Sequence, residues 1–129
     1  MNTLVSTASL FERLGGTAGI AGIVDSLIAA HLENPAIRAR FVPYLDTPER
    51  IAAIKGHVCT FLEAGSGGPR DYTGRAMRDA HRGMNINEAE FVATLDDIVL
   101  VLRKHGVDEA TQKDVLAIAY SLKNEIVHV

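Results

Sequence analysis

GRAMRDAHRGMNINEAEF, residues 74–91, places a histidine among apolar side chains. If the first part of this stretch is a short helix, Met77, His81 and Met84 fall at positions i, i+4 and i+7 and share one apolar face. A titratable ring at an apolar position needs a partner, and the simplest partner is one backbone carbonyl. The alternative is that the ring binds a metal or a cofactor, which makes His81 the first candidate for a functional residue.

The whole chain has the size and composition of one folded domain. It contains 129 residues, of which 47% are hydrophobic, and this is enough to form one core. We expect a single domain over residues 1–129, with residues 1–8 as a flexible extension. The net charge of −3 comes from intermixed acidic and basic residues, so binding to nucleic acid or to an anionic membrane is not expected. Without a long apolar run or a secretion signal, the expected location is the cytoplasm.

Apolar residues recur at helical spacing along almost the whole chain, whereas the alternation typical of strands is missing. Helix boundaries are marked by capping residues, a first-turn proline and a glycine: Thr17, Thr47 with Pro48, Asn87 with Glu90, Gly106 and Asp108. The predicted inward faces are Ile20, Ile23, Val24, Leu27, Ile28 and His31; Ile51, Ile54, Val58, Phe61 and Leu62; Phe91, Leu95, Ile98, Val99 and Leu102; and Val115, Ile118, Ala119, Leu122 and Ile126. The predicted fold class is all-α, with the last two long helices packed as an antiparallel pair.

The residues required for several common kinds of catalytic or binding site are missing from this sequence. The glycine-rich stretch AGSGGP at residues 64–69 has neither the preceding strand nor the following Gly-Lys-Ser/Thr of a phosphate-binding loop. No Ser-His-Asp order and no HExxH zinc pattern can be assembled. The single cysteine, Cys59, excludes an intrachain disulfide and is expected to fill space as a small hydrophobic residue.

The other four histidines differ in what their positions predict. His31 lies on an apolar helix face and is expected to be a structural histidine with a hydrogen-bond partner. His57 lies at the edge of the inward face of its helix, where it can face a pocket or water. His105 and His128 lie at a helix end and near the chain end, and neither predicts a function. Two facing helices that carry His57 and His81 could hold a flat apolar cofactor between them.

Four stretches together resemble the truncated haemoglobins of group I. They are LFERLGGTAGIAGIVD at 10–25, NPAIRARF at 34–41, GGPRDYTGRAMRDAHRGMNINEAEF at 67–91 and LRKHGVDEATQKDVLAIA at 102–119. The central stretch is the most specific, because its Gly-Gly-Pro, Tyr-Thr-Gly and Ala-His-x-Gly elements keep the spacing found in the family. The resemblance covers nearly the whole chain.

The resemblance implies a two-over-two helical sandwich around haem b, iron protoporphyrin IX. His81 matches the proximal ligand, so its ring nitrogen is expected to bind the iron. Phe41 matches the phenylalanine that wedges against the haem, and Tyr72 and Lys55 match positions that reach the haem propionates. The remaining residues expected at the haem are Met77, Arg78, Met84, Ile86, Ile54, His57 and Val58.

The distal side departs from the family pattern. Group I members commonly hold oxygen with a tyrosine and a glutamine. Here Ile28 and Val58 stand at the matching positions and Ile54 at the distal position between them, and none of the three can donate a hydrogen bond. The expected distal pocket consists of Ile28, Ile54, His57, Val58, Phe61 and Leu62. Loss of a charge-assisted hydrogen bond of about 1.5 to 3 kcal/mol would speed oxygen release about tenfold or more.

Three functions follow from these residues. The first is reversible binding of O2, NO or CO, with modest oxygen affinity; enzymatic activity stays open, with nitric-oxide dioxygenase chemistry fed by an unidentified electron donor as the candidate. The second is a haem protein with both His81 and His57 on the iron, acting in electron transfer, nitrite or NO redox chemistry, or redox sensing. The third is a helical interaction module without haem, against which the presence of His81, Phe41, Tyr72 and Met77 argues.

Overall fold

Seven α-helices and two 3-10 turns make up the secondary structure of the described residues, apart from one isolated bridge. The computed structural model describes residues 8–129, so only Ala8 of the extension expected at residues 1–8 is described. The helices are α1 (Leu10–Arg13), α2 (Gly16–Glu33), α3 (Pro48–Ser66), α4 (Met77–His81), α5 (Glu88–Lys104), α6 (Glu109–Ser121) and α7 (Lys123–Ile126), with 3-10 turns at Arg38–Arg40 and Val42–Tyr44. The predicted all-α class is confirmed.

Most of the predicted helix boundaries are correct. Asn87 and Glu90 form a capping box at the start of α5, because each side chain accepts a hydrogen bond from the other residue's backbone N–H. Gly106, with φ of 74°, takes the left-handed conformation that ends helices, and Asp108 caps α6. Pro48 begins α3 as predicted, although the Thr47 side chain makes no capping hydrogen bond.

The prediction that Thr17 caps the second helix is wrong. Helix α2 already begins at Gly16. The residue before it, Gly15, has φ of 94°, a left-handed conformation that glycine adopts freely and that other residues adopt only with strain. Thr17 is therefore inside the helix, and its Oγ1 donates a 2.9 Å hydrogen bond to Oε1 of Glu63 on α3.

Two other helices are shorter than predicted. Helix α4 ends at His81, so Met84 lies beyond it, after Gly83 turns the chain with φ of 86°. The last long helix ends at Ser121, where the N–H of Leu122 bonds the carbonyls of Ala119 and Tyr120 in a tight turn. The segment that contains Ile126 therefore forms a separate helix, α7, which packs against α4.

The core lies where α2 packs against α3 and α5, and α5 in turn packs against α6. Its buried apolar residues are Leu14, Ile20, Ile23, Val24, Leu27, Ile28, Val101, Leu102 and Val115. The inward face predicted for α3 is only half-buried, and the buried residues of that helix are Glu63 and Ser66. Since burial of apolar surface stabilises a fold, a half-covered apolar helix face indicates a place where another apolar group can fit. Among the described residues, no helix has both the length and the apolar character to cross a membrane.

Candidate functional site

His81 is the last residue of α4, and its ring is fixed by one hydrogen bond. Nδ1 lies 2.8 Å from the carbonyl oxygen of Met77. A carbonyl oxygen only accepts, so Nδ1 carries the proton and the lone pair of the neutral ring is on Nε2. Nε2 has no hydrogen-bond partner among residues 8–129. The predicted carbonyl partner is thus present, and the other nitrogen is left as a donor atom for a metal.

Half-buried residues on the two helices that carry His57 and His81 and on the segments next to them form the candidate site, and the region that they bound is here called the α3–α4 cleft. Helix α3 packs against α2 and α1, and α4 packs against α7, but within the described residues α3 and α4 do not pack closely against each other. The predicted site residues that remain half-buried on these elements are Ile54, Val58, Phe61, Leu62, Tyr72, Met77, His81 and Met84. Half-buried apolar side chains, together with a ring nitrogen that has no partner among the described residues, suit an apolar group that contains a metal.

Tyr72 joins the α3–α4 cleft to α3. Its ring lies edge-on to Phe61 at a centroid distance of 5.3 Å and to His57 at 6.4 Å. Its hydroxyl donates a 2.6 Å hydrogen bond to the carbonyl of Arg75, one residue before the turn into α4. The His57 side chain is exposed, and its ring nitrogens have no hydrogen-bond partner among the described residues. The structure therefore brings His57, Phe61 and Tyr72 together.

Four of the six residues predicted for the distal side lie in the core or pack against it. Ile28 is buried, and Ile54, Val58, Leu62 and Phe41 pack against the core cluster that contains it. All five of these side chains are apolar, so none of them can donate a hydrogen bond. Cys59 also packs there, half-buried, and burial raises the pKa of its thiol, as expected for a space-filling residue.

Four further predicted haem residues have protein partners of their own. Nζ of Lys55 lies 3.1 Å from Oδ1 of Asp25 on α2, and Nη2 of Arg78 donates to the carbonyl of Asn124 at 3.2 Å. Met84 offers its backbone carbonyl to Arg40, and Ile86 is buried and pairs with Val127 in an isolated bridge.

Comparison with known proteins identifies the family. A family model described as bacterial-like globin matches residues 9–128. The chain belongs to the bacterial-like globins. A group 1 truncated hemoglobin of Synechocystis sp. is 31% identical over 116 residues, covering 87% of this chain and 90% of that relative. One of Tetrahymena thermophila is 29% identical over 101 residues, covering 78% of this chain and 79% of the relative.

Solved structures of truncated hemoglobins share the fold of this globin. The truncated hemoglobin of Tetrahymena pyriformis in its Fe(III) form superposes with a TM-score of 0.86 at 21% identity, covering 95% of this chain and all of that one. The 2/2 hemoglobin of Synechococcus sp., in the cyanomet state with covalently attached heme, superposes with a TM-score of 0.81 at 27% identity, covering 93% and 98%. The two-over-two fold expected from the sequence is confirmed, and membership in a haem-protein family implies haem binding.

An ion pair that sequence reasoning missed fixes the segment after His81. The guanidinium of Arg40 donates from Nε and Nη2 to the Glu90 carboxylate at 2.6 and 2.8 Å, and from Nη1 to the Met84 carbonyl at 2.8 Å. These bonds to Arg40 hold the pKa of Glu90 below its usual range. Arg40 precedes Phe41, so these bonds tie the segment after His81 to the turn that carries Phe41.

A second missed ion pair holds the loop that leads to Tyr72. The Glu63 side chain is 0% exposed and accepts hydrogen bonds from the guanidinium of Arg70 and from Thr17. Arg70 holds the pKa of Glu63 below its usual range, because the guanidinium favours the charged carboxylate. The only sign of this pair in the sequence is that Glu63 stands four residues before Gly67. No local sequence rule predicts that its partner is Arg70, seven residues away on the other side of a glycine turn.

We expect Arg70→Ala to lower the thermal unfolding midpoint clearly at pH 7, because it leaves a buried carboxylate without its cation. Lys113→Ala is the control, since it breaks an exposed pair with Glu109 on α6 and should have almost no effect. A carboxylate with a lowered pKa stabilises the fold above its unfolded value of 4.5. The difference between wild type and Arg70→Ala should therefore shrink as the pH falls below about 4.5. Equal midpoints at pH 7 would contradict a stabilising role for Arg70.

Two surface grooves run along α5 away from the predicted site residues. One is apolar, between α5 and α6, and the other lies between α2 and α5. Among the residues that the structure describes, neither groove is lined by a residue predicted to contact haem. The candidate site is therefore separate from both grooves.

Proposed function

We propose that this globin binds haem b in the α3–α4 cleft with His81 as the axial ligand and takes up O2, NO or CO on the opposite side. The observation that carries the proposal is the bond from His81 Nδ1 to the Met77 carbonyl, which leaves the Nε2 lone pair for a metal. The fixed tautomer and the fixed ring orientation are what axial ligation requires. The haem iron supplies the site for the diatomic ligand when it is bound.

The other residues of the cleft supply its polarity and shape. Met77 and Met84 are flexible, apolar and half-buried, and can adapt to the face of a porphyrin. Ile28, Ile54 and Val58 exclude water and disfavour anions, because a buried anion without partners is costly. An uncharged diatomic gas is therefore the preferred ligand. Nitric-oxide scavenging is compatible with this pocket, provided that an electron donor reduces the iron.

The polar residues predicted at the haem edge have a conditional role in this proposal. Lys55 and Arg78 reach the propionates only after exchanging their present partners, Asp25 and the Asn124 carbonyl. Exposed ion pairs such as Lys55–Asp25 are weak, so that exchange costs little. Tyr72 can contribute its ring without losing its bond to Arg75.

The test of haem binding is an absorption spectrum of the purified protein, reconstituted with haem, in ferric, ferrous and carbonmonoxy forms. A five-coordinate ferrous spectrum that converts fully with carbon monoxide supports an open site opposite His81. Failure to take up haem at one equivalent would contradict the proposal.

A second function is favoured by one observation, the free ring of His57. His57 lies on α3, next to Tyr72, with no hydrogen-bond partner among the described residues. An imidazole that is exposed and without a protein partner can bind iron as a sixth ligand. This globin would then act in electron transfer, in nitrite or NO redox chemistry, or in redox sensing.

We expect His57→Ala to distinguish these two functions. If His57 binds the iron, the wild-type ferrous protein without added ligand is low-spin, and the substitution converts it to five-coordinate. His105→Ala is the control, because His105 is also exposed but bonds Ser26 on α2. Identical spectra of wild type and His57→Ala at neutral pH would exclude ligation by His57 and leave gas binding as the function.

A further inference from the structure

A polar unit lies inside the apolar interface between α2 and α5. His31 and Asp97 are 5% and 7% exposed, and Nδ1 of His31 lies 2.7 Å from Oδ2 of Asp97. Oδ1 of Asp97 accepts from Nδ2 of Asn34 at 3.1 Å, and Oδ1 of Asn34 accepts from the N–H of Ala36 at 3.0 Å. Each carboxylate oxygen therefore has a donor, and each group of the Asn34 amide has a fixed role.

Burial determines the protonation of this unit. Desolvation lowers the pKa of His31 by more than the hydrogen bond and charge of Asp97 raise it, so the ring is neutral at neutral pH. Nδ1 of a neutral ring facing a carboxylate carries the proton. The groove between α2 and α5 reaches Asp97, and the charged residues along it are Glu33 of α2 and Lys104 of α5.

A contribution to folding stability does not by itself explain why His31, Asp97 and Asn34 form a buried polar group. Replacing a buried polar pair with well-packed apolar residues is often neutral or stabilising, whereas such a pair can fix one packing arrangement. The neighbour that this arrangement would fix is Phe41. The rings of His31 and Phe41 stack with centroids 5.5 Å apart and an interplanar angle of 25°. Phe41 itself is half-buried, between the two 3-10 turns, and also packs against the core cluster.

We propose that His31 is a positioning residue that, held by Asp97 and Asn34, fixes the Phe41 ring in the orientation that retains haem. This inference rests on the proposed haem binding and on the family resemblance, which places Phe41 against the haem. The stack supports one face of the Phe41 ring, and the hydrogen bonds prevent His31 from rotating. A substitution that frees His31 should therefore loosen the haem without touching it.

The first test is the rate at which haem leaves the protein for an excess of a haem-binding acceptor. We expect His31→Leu to speed haem loss by about threefold to tenfold, the range for losing one aromatic packing contact. The matched control is His105→Leu, because His105 also joins α5 to α2, through a 2.8 Å bond to Ser26, but on the exposed surface. His105→Leu should leave the rate unchanged.

A second variant covers the case in which His31→Leu fails to fold because Asp97 loses its partner. The double variant His31→Leu with Asp97→Leu removes the unpaired carboxylate and should fold while still losing haem faster than wild type. If either folded variant loses haem at the wild-type rate, or if His105→Leu speeds loss equally, the positioning role is wrong. If wild type binds no haem, the proposed function itself fails.

A conservative substitution of Asp97 that keeps the hydrogen bonds to His31 and Asn34 provides a further test, which can be followed by spectroscopy. In Asp97→Asn, the new amide oxygen can accept from Asn34, whose orientation Ala36 fixes, and the new NH2 group can donate to Nδ1 of His31. The His31 proton then moves to Nε2, and nitrogen NMR of the imidazole should report the reversed tautomer. Because both bonds survive, haem loss should stay near the wild-type rate, whereas Asp97→Leu should behave like His31→Leu. Equal, fast haem loss in both Asp97 variants would overturn positioning by hydrogen-bond geometry.

Discussion

His81→Ala is expected to speed haem loss by at least about a hundredfold and to remove the axial histidine signature from the ferrous spectrum. The substitution removes a ring whose Nδ1 is held by the Met77 carbonyl and whose Nε2 has no protein partner among the described residues. The ring packs at the end of a five-residue helix and is half-buried, so the change should cost little folding stability. Haem release and haem-free stability can therefore be measured separately.

The measurement is haem transfer to an acceptor, with resonance Raman spectroscopy of the iron–histidine bond in the ferrous form. His81→Gly adds a chemical rescue, because it leaves room for free imidazole, which should restore the axial nitrogen and the spectrum. His105→Ala serves as the control histidine substitution. Haem retention and spectra indistinguishable from wild type would exclude His81 as the ligand.

The fold could be predicted from the sequence where its signals are local. The Asn87–Glu90 capping box, Gly106 and the helical spacing of α5 each act within a few residues, and the structure has them as predicted. The break at Leu122 was missed because the apolar spacing continues across it, although the helix does not. Periodicity reports which face is apolar and does not report where backbone hydrogen bonding is interrupted.

The candidate site was predictable in its residue types and less so in its contacts. His81 stood out because a titratable ring lay on an apolar face, and the structure supplies its carbonyl partner. The pairs Arg40–Glu90 and His31–Asp97 join residues 50 and 66 positions apart, and a single sequence carries no local mark of such pairs. Lys55 is expected at the haem edge from the resemblance, and in the structure its ammonium group pairs with the Asp25 carboxylate, which no local sequence signal indicates.

Ile28→Tyr is expected to slow oxygen dissociation by about tenfold to about a hundredfold relative to Ile28→Phe. Ile28 is 4% exposed, and Ile54 and Val58 of α3 pack against the cluster that contains it. A tyrosine hydroxyl at this position would be the first side-chain donor in an apolar wall. A ligand that gains negative charge when it binds accepts such a bond strongly, because the surroundings have a low dielectric constant.

The phenylalanine variant separates the hydroxyl from the volume of the ring. Both substitutions add bulk to a packed core and should cost about 1 to 3 kcal/mol of stability, so their unfolding midpoints should fall together. Only the tyrosine adds a donor, and a difference in oxygen dissociation between the two variants therefore measures the hydrogen bond. Stopped-flow displacement of oxygen by carbon monoxide gives both rates. If the rates agree, the side chain at position 28 does not face the ligand, and α2 contributes packing to this pocket but no control over oxygen release.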